Sequence, residues 1–240
     1  MAATPPATLP AMHLLRQFLL FALIVVFLLL VVRAGYALWQ FPAVEEAGAP
    51  ERLFLTGLRF DLSLVGAICL VPLVLGSLLG MFDATRAIAK WLVVPWLVAA
   101  LIVILGTELV TPYFLGADAA RPTAATFADP AALAATVGQL AARQPIPSAI
   151  GVLLLVLIVV AYVARMETAR FLRFRLSRPS ALALAVLGGI VCVVLARSRF
   201  DPGAPALSLA DSRLGGAPVV DEIATNSAWT TLHSLLLPWF

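Results

Sequence analysis

The chain has 240 residues, 62% of them hydrophobic and only 12% charged, with a net charge of +3. Soluble domains are about 45–50% apolar and roughly 25% charged. This composition excludes an ordinary water-soluble catalytic domain. The slight basic excess needs no nucleic acid to explain it, and the polar residues must be read against a bilayer.

The first apolar run is unbroken over 18–32, and a span is predicted over 14–39. That is longer than the roughly 7–15-residue core of a signal peptide. Tyr36 and Trp39 close it like an interfacial aromatic belt, so it reads as a retained helix although Gly35 and Ala37 could pass for a cleavage site. Further spans are predicted at 62–82, 91–109, 148–164 and 180–196. Each approaches the roughly 20 residues that a hydrocarbon core of about 30 Å requires. The runs are continuously apolar and do not alternate, which selects helices over barrel strands. Pro72 and Pro95 fall inside spans and are expected to kink the helices rather than end them. Packed neighbours can re-satisfy the carbonyl that each proline frees.

Basic residues set the expected orientation. Arg16, Arg86, Lys90, Arg165, Arg170, Arg173, Arg175 and Arg178 lie in short segments on one side. Arg52, Arg59, Arg121, Arg143, Arg197, Arg199 and Arg213 are spread through longer segments on the other. The denser side is cytoplasmic by the positive-inside rule. The expected fold is an all-α membrane protein of five transmembrane helices, with the N-terminus cytoplasmic and the C-terminus periplasmic or extracellular. Residues 1–197 form the bundle and 198–240 an external linker. The arginines of 165–178 read as an anchor against anionic lipid. Arg outnumbers Lys fifteen to one and Ala is abundant, which suggests a high-GC bacterial genome; the expected location is a bacterial cytoplasmic membrane. Cys69 and Cys192 lie in spans and read as packing thiols. His13 and His233 are far apart, and no metal-ligand spacing, P-loop or nucleophile elbow is present.

Two short external helices are expected. Asp129 is a good N-cap with Pro130 at the first helical position, so a helix should run over 131–143 and stop before Pro145 and Pro147. In the tail, Pro202, Gly203 and Pro205 and then Gly215–Pro218 punctuate a linker. One interfacial helix is predicted over 221–237, carrying Ile223, Trp229, Leu232, Leu235 and Leu236. No soluble domain is expected after Pro238, Trp239 and Phe240.

The charges near the outer ends of the spans are Arg33, Arg59, Asp61 and Glu108, with Arg121 in the following loop. Ionisable groups at that depth are costly unless they pair or face water. Arg59 and Asp61 are two apart, so they face different sides of a helix and should pair elsewhere. Two readings are open. The set is an interhelical salt-bridge system with Arg33 snorkelling to the surface. Or it is a lipid-headgroup site, with arginine on phosphate and the carboxylates orienting the guanidinium groups.

The order of these features carries a resemblance. Five N-in helices, Arg59-Phe60-Asp61-Leu62 opening the second span, Glu108 ending the third, and Arg121-Pro122-Thr123 before a short helix resemble the membrane half of the lipoteichoic acid synthase-like, sulfatase-fold phosphoglycerol transferases. The tail at 221–232 is similar to the linker helix that precedes the catalytic domain in that family. The resemblance implies an extracytoplasmic domain that uses a threonine nucleophile and a divalent metal such as Mn to move a phospholipid headgroup. The metal-binding Asp/Glu/His set and the threonine motif of that domain are missing here. Thr225, Thr230 and Thr231 have no ligand residues around them, so no cofactor and no catalysis are expected of this chain alone. The expectation is a membrane-anchoring and headgroup-presenting module. Its partners would be anionic phospholipid and a periplasmic catalytic domain or subunit, with Arg33, Arg59, Asp61, Glu108 and Arg121 at the headgroup. The alternatives are a structural or regulatory protein that binds a periplasmic partner, or a small transporter. The last is disfavoured by the lack of a mid-membrane charge or inverted repeat.

Overall fold

A computed structural model describes residues 10–48, 50–117, 119–143, 145–168, 176–199, 201, 203, 205–215 and 217–236. The elements in chain order are α1 (Pro10–Trp39), α2 (Phe41–Glu46), α3 (Pro50–Leu79), α4 (Asp83–Ala117), α5 (Ala124–Ala128), α6 (Pro130–Arg143), α7 (Pro145–Thr168), α8 (Arg178–Arg197), a 3-10 turn (Leu209–Ser212), α9 (Pro218–Ala224) and α10 (Ser227–Leu236). The described residues contain no strand. Five helices, α1, α3, α4, α7 and α8, are long and apolar enough to cross a membrane. Arg170, Arg173 and Arg175 of the basic cluster, Pro202 and Gly216 of the linker, and residues 237–240 lie outside the described residues.

Helix α3 is the hub. It packs against α1, α4 and α8, and it also receives α9 and α10. Its approach to α8 is backbone-close: a Cβ on Gly66 would lie 2.6 Å from both the Ala196 nitrogen and the Cys192 carbonyl oxygen. Small residues permit such approaches where helices associate in lipid. One turn earlier, the Ser63 hydroxyl donates to the Ala196 carbonyl at 2.5 Å. The core that this geometry buries includes Phe21, Val25, Phe60, Leu64, Leu97 and Leu101. By contrast, α7 leans mainly on α4 and α6, with Tyr162 reaching Phe21 of α1. Its Ile150, Leu153, Leu154 and Leu157 point outward, a surface suited to acyl chains.

The helices outrun their apolar runs. The second was expected from 62 and starts at Pro50. The third was expected over 91–109 and spans Asp83–Ala117. Hydropathy marks where lipid surrounds a helix, not where its hydrogen bonding stops. Pro50 suits a first helical position, and Glu51 and Asp83 favour a first turn through the helix dipole. Arg59 and Asp61 therefore lie well inside α3.

Pro72, Pro95 and Pro112 all sit within continuous helices. Two of the freed carbonyls are accounted for. Pro72 cannot donate to Ile68, and the Trp96 indole N–H donates to that oxygen at 3.0 Å. Pro112 cannot donate to Glu108, and the Tyr36 hydroxyl donates there at 2.8 Å. The proline positions thus become tie points between α3 and α4 and between α1 and α4.

Helix α6 starts as its sequence requires, with Asp129 Oδ1 accepting from the Ala131 and Ala132 amides at 2.9 and 3.1 Å. The tail departs from expectation. The single helix over 221–237 is two helices, α9 and α10, separated at Thr225 and Asn226. Thr225 is extended, and the Asn226 side chain caps α10 by accepting from the Trp229 amide at 2.7 Å. Nor does the tail merely lie along a surface: residues 223–230 are all buried.

Candidate functional site: two buried ion pairs around the tail

The break between α9 and α10 sits at one end of the bundle, between two guanidinium–carboxylate pairs. Arg33 of α1 is 1% exposed and Asp61 of α3 is fully buried. They form a fork, Nη1 to Oδ2 at 2.7 Å and Nη2 to Oδ1 at 2.8 Å. Arg33 also donates to the Gly57 carbonyl and to the Ile223 carbonyl, each at 3.2 Å. Asp61 takes a further bond from the Asn226 amide nitrogen at 2.9 Å.

Room for this fork comes from Gly57, one turn before Asp61. A Cβ there would lie 2.2 Å from Arg33 Cζ and Nε, so any side chain would push the guanidinium from its place. Arg33 is enclosed, which sets aside the snorkelling alternative. At that position the arginine meets a carboxylate one helix away before it could reach the surface.

The second pair joins Arg121, in the segment between α4 and α5, to Glu108 of α4, and both are buried. Arg121 Nη1 contacts Glu108 Oε1 and Oε2 at 2.7 and 3.0 Å and the Ser227 hydroxyl at 2.8 Å. Its Nε donates to the Glu222 carbonyl at 2.6 Å, and its backbone amide donates to the Glu222 carboxylate at 3.1 Å. The guanidinium lies 5.6 Å from the centre of the Tyr36 ring, a cation–π distance. Glu108 Oε1 accepts from the Ser227 amide at 2.7 Å, and the Ser227 and Thr111 hydroxyls are bonded to each other.

The two pairs read the tail in the same way. Consecutive carbonyls at the end of α9, those of Glu222 and Ile223, go to the two arginines. Consecutive residues at the start of α10, Asn226 and Ser227, donate to the two carboxylates. A helix end presents unpaired carbonyls and partial negative charge, and a helix start presents unpaired amides. Breaking the tail helix at Thr225 turns the Ile223 carbonyl and the Ser227 amide to these partners; the Glu222 carbonyl is shared with the Thr225 amide and hydroxyl, and Asn226 donates through its side chain.

Further contacts fasten α10. Trp229 packs edge-on against Phe60 at 4.6 Å, stacks on His233 at 4.5 Å, and donates to Ser63 at 3.3 Å. Thr230 donates to the Pro122 carbonyl at 2.9 Å. The threonines of this helix serve as fasteners, and Thr225 donates to its own turn, to the Glu222 carbonyl.

Of the five residues expected at a headgroup site, the fold gathers Arg33, Asp61, Glu108 and Arg121, as two closed pairs. Arg59 is half-buried and joins neither pair; its charge helps lower the Asp211 carboxyl. Burial raises the Asp211 carboxyl, but the Ser208 amide and hydroxyl with Arg199 and Arg59 outweigh it, so the group sits below the usual carboxylate range. Glu222 is pushed up by burial, with Arg121 opposing in part. His233 is pushed down by burial.

Sequence reasoning passed over Tyr36, Gly57, Asn226 and Ser227. Gly57 had a readable signal, since it sits four residues before an aspartate at the edge of an apolar run and so shares its face. Tyr36 reads as interfacial from composition, and only the fold brings it to the carbonyl that Pro112 leaves open. No protein-family model, no curated protein and no solved structure matches this chain.

Proposed function

We propose that this chain is the membrane-anchoring module of a headgroup transferase of the lipoteichoic acid synthase-like, sulfatase-fold kind, seated in a bacterial cytoplasmic membrane with the ion-pair end outward. One observation carries the reading. Residues 222–227 of the tail are held by both buried pairs, so the break between α9 and α10 is fixed in position and direction. A tail that only needed tethering would need no such clamp. Holding a catalytic domain at a set height over a lipid surface does need one, because a misplaced reacting group costs rate steeply.

Headgroup presentation belongs to this proposal in altered form. Arg33 and Arg121 already give most of their donors to protein acceptors, so a phosphate would have to displace carboxylates from them. Cations outside the pairs, Arg59 among them, are the better candidates for lipid contact.

The test is crosslinking in cells. A photoreactive residue in place of Leu235, which is exposed on α10, should capture a sulfatase-fold domain, either in the same polypeptide or as a subunit. Capture of an unrelated periplasmic protein alone would favour the structural or regulatory reading. Capture of cytoplasmic proteins would overturn both the function and the orientation.

A further inference from the structure

Beneath α10 lies a cleft of about 450 Å³ between α3, α8 and the tail. That is within the roughly 300–1,000 Å³ of small-molecule sites. Its walls are apolar, with Ala67 and Leu70 from α3, Val193 and Ala196 from α8, and Leu207 and Leu232 from the tail. Its polar groups are Ser63, Arg197, Trp229 and His233. Ser63 and Leu70 are separated along α3 by roughly 10 Å at about 1.5 Å per residue. Ser63 lies at the ion-pair end, so the cleft runs from a polar rim to an apolar floor.

Both helical walls belong to candidate membrane spans. An empty space of this size among apolar side chains forfeits dispersion contacts. Water in it would find few polar partners below the rim, where a buried water needs two to four. Hydrocarbon is the filler the surroundings supply. At the rim stands a guanidinium, a fork of donors suited to phosphate oxygens. Arg197 is the permanently charged side chain among the described residues lining the cleft, and burial holds His233 below the usual histidine range. An apolar shaft under a cationic mouth is the complement of an anionic amphiphile.

We propose that this cleft is a lipid site, holding one acyl chain of an anionic phospholipid against Leu70, Val193 and Leu232 with its phosphate at Arg197. The site is distinct from the two ion pairs, and it places lipid contact on a residue outside them. The cleft is roofed by α10, so the inference rests on the tail being clamped.

Trp229 lines the cleft and reports on it. The full chain is placed in phosphatidylcholine vesicles doped with a brominated-chain lipid, either phosphatidylglycerol or phosphatidylcholine. The difference between the chain and its Trp229→Phe variant assigns quenching to Trp229. Brominated phosphatidylglycerol should quench Trp229 at a mole fraction roughly fivefold lower than brominated phosphatidylcholine, the preference expected of one guanidinium near an anionic headgroup. Arg197→Gln should bring the two lipids level while quenching persists. Ala67→Phe, which fills the shaft, should abolish Trp229 quenching by both. Equal quenching by the two lipids in the unmodified chain would overturn the headgroup assignment. Unchanged quenching in a folded Ala67→Phe variant would overturn the chain site. A second readout uses the unmodified chain: mass spectrometry of the intact protein released from mixed vesicles should retain phosphatidylglycerol over phosphatidylcholine. Equal loss of both would also sink the proposal. Protease resistance of the tail is a separate measurement, so a loosened clamp is distinguishable from an empty cleft.

Discussion

The two ion pairs touch adjacent residues of the same tail, yet they are built differently. Arg33–Asp61 bridges two long helices and is sealed by a glycine that leaves no spare space. Arg121–Glu108 bridges a helix and a connecting segment, and it has the Tyr36 ring and the half-buried Glu222 beside it. The first pair is therefore part of the bundle, and the tail docks onto it. The tail bonds both members of each pair, but at the second a single tail residue, Ser227, joins the two, and one partner sits on a connecting segment rather than on a long helix. The contrast separates what holds the helices together from what holds the tail down. A buried pair is not in itself strong evidence of stability, because the desolvation of both ions offsets their attraction. Removing one partner is different, because it strands a charge.

The largest effect should come from Asp61→Ala. It leaves Arg33 enclosed without its carboxylate and Asn226 without its acceptor, and such losses cost about 3–5 kcal/mol. Reversible unfolding of the detergent-solubilised chain should show it. The double variant Arg33→Met, Asp61→Leu should recover much of the loss, because apolar replacements of a buried pair are often neutral. If the single variant were as stable as the parent, the first pair would not be structural.

Gly57→Ala comes next and has no counterpart at the second pair. Its Cβ would displace the Arg33 guanidinium. Overpacking of this kind costs about 1–3 kcal/mol, set against a gain in helix propensity of up to about 1 kcal/mol. A net loss of stability is expected. It should vanish in the Arg33→Met, Asp61→Leu background, where no guanidinium occupies the space.

Half of this comparison was legible in the chain and half was not. Arg33, Asp61, Glu108 and Arg121 stand out because charges beside apolar runs are rare and need partners. Which arginine takes which carboxylate was not readable, since similar depth leaves several pairings possible and Arg59 adds another cation. Asn226 and Ser227 gave no signal because short polar residues are ordinary in a tail. Their value appears only when the helix breaks beside them. The break had a local cue, as Thr225-Asn226-Ser227 is rich in capping types. The apolar spacing of Ile223, Trp229 and Leu232 pointed to one helix, and the tertiary demand of the four buried charges overrode it. The five apolar helices were plain from composition, because lipid imposes a constraint that each segment meets by itself. The tail was not, because its conformation is set by groups 100 or more residues away.

Breaking the second pair should cost less and act on the tail more than on the bundle. Glu108→Gln keeps an oxygen for the Ser227 amide but removes the charge facing Arg121. Arg121 retains the Glu222 carbonyl, the Ser227 hydroxyl and the Tyr36 face. The expected loss is about 1.5–3 kcal/mol, the range for a hydrogen bond to a charged group. Hydrogen exchange should rise at 223–230 with little change in α3. Equal deprotection of α3 would erase the distinction drawn between the pairs.

The smallest effect concerns pH and centres on Glu222, which lies outside the candidate spans. Burial raises its folded-state pKa above the ordinary value of 4.5, with Arg121 only partly opposing. For a carboxyl raised on folding, the stability it contributes is fully present below the unfolded pKa and is lost as pH rises through the folded one. Ionised Glu222 therefore loosens the clamp, and its protonation tightens it. His233 and Asp211 act in the opposite direction. Their folded pKa values are lowered, so each contributes stability that is lost on acidification. Overall stability against pH would blend the three. The difference between the parent chain and Glu222→Gln removes the shared contributions. Tail proteolysis in the parent relative to the variant should slow as pH falls from neutral toward about 4.5, the unfolded value of a glutamate. In an Arg121→Met background the opposing charge is gone and burial acts with less resistance, so the slope should steepen; a flat ratio there would remove burial as the cause.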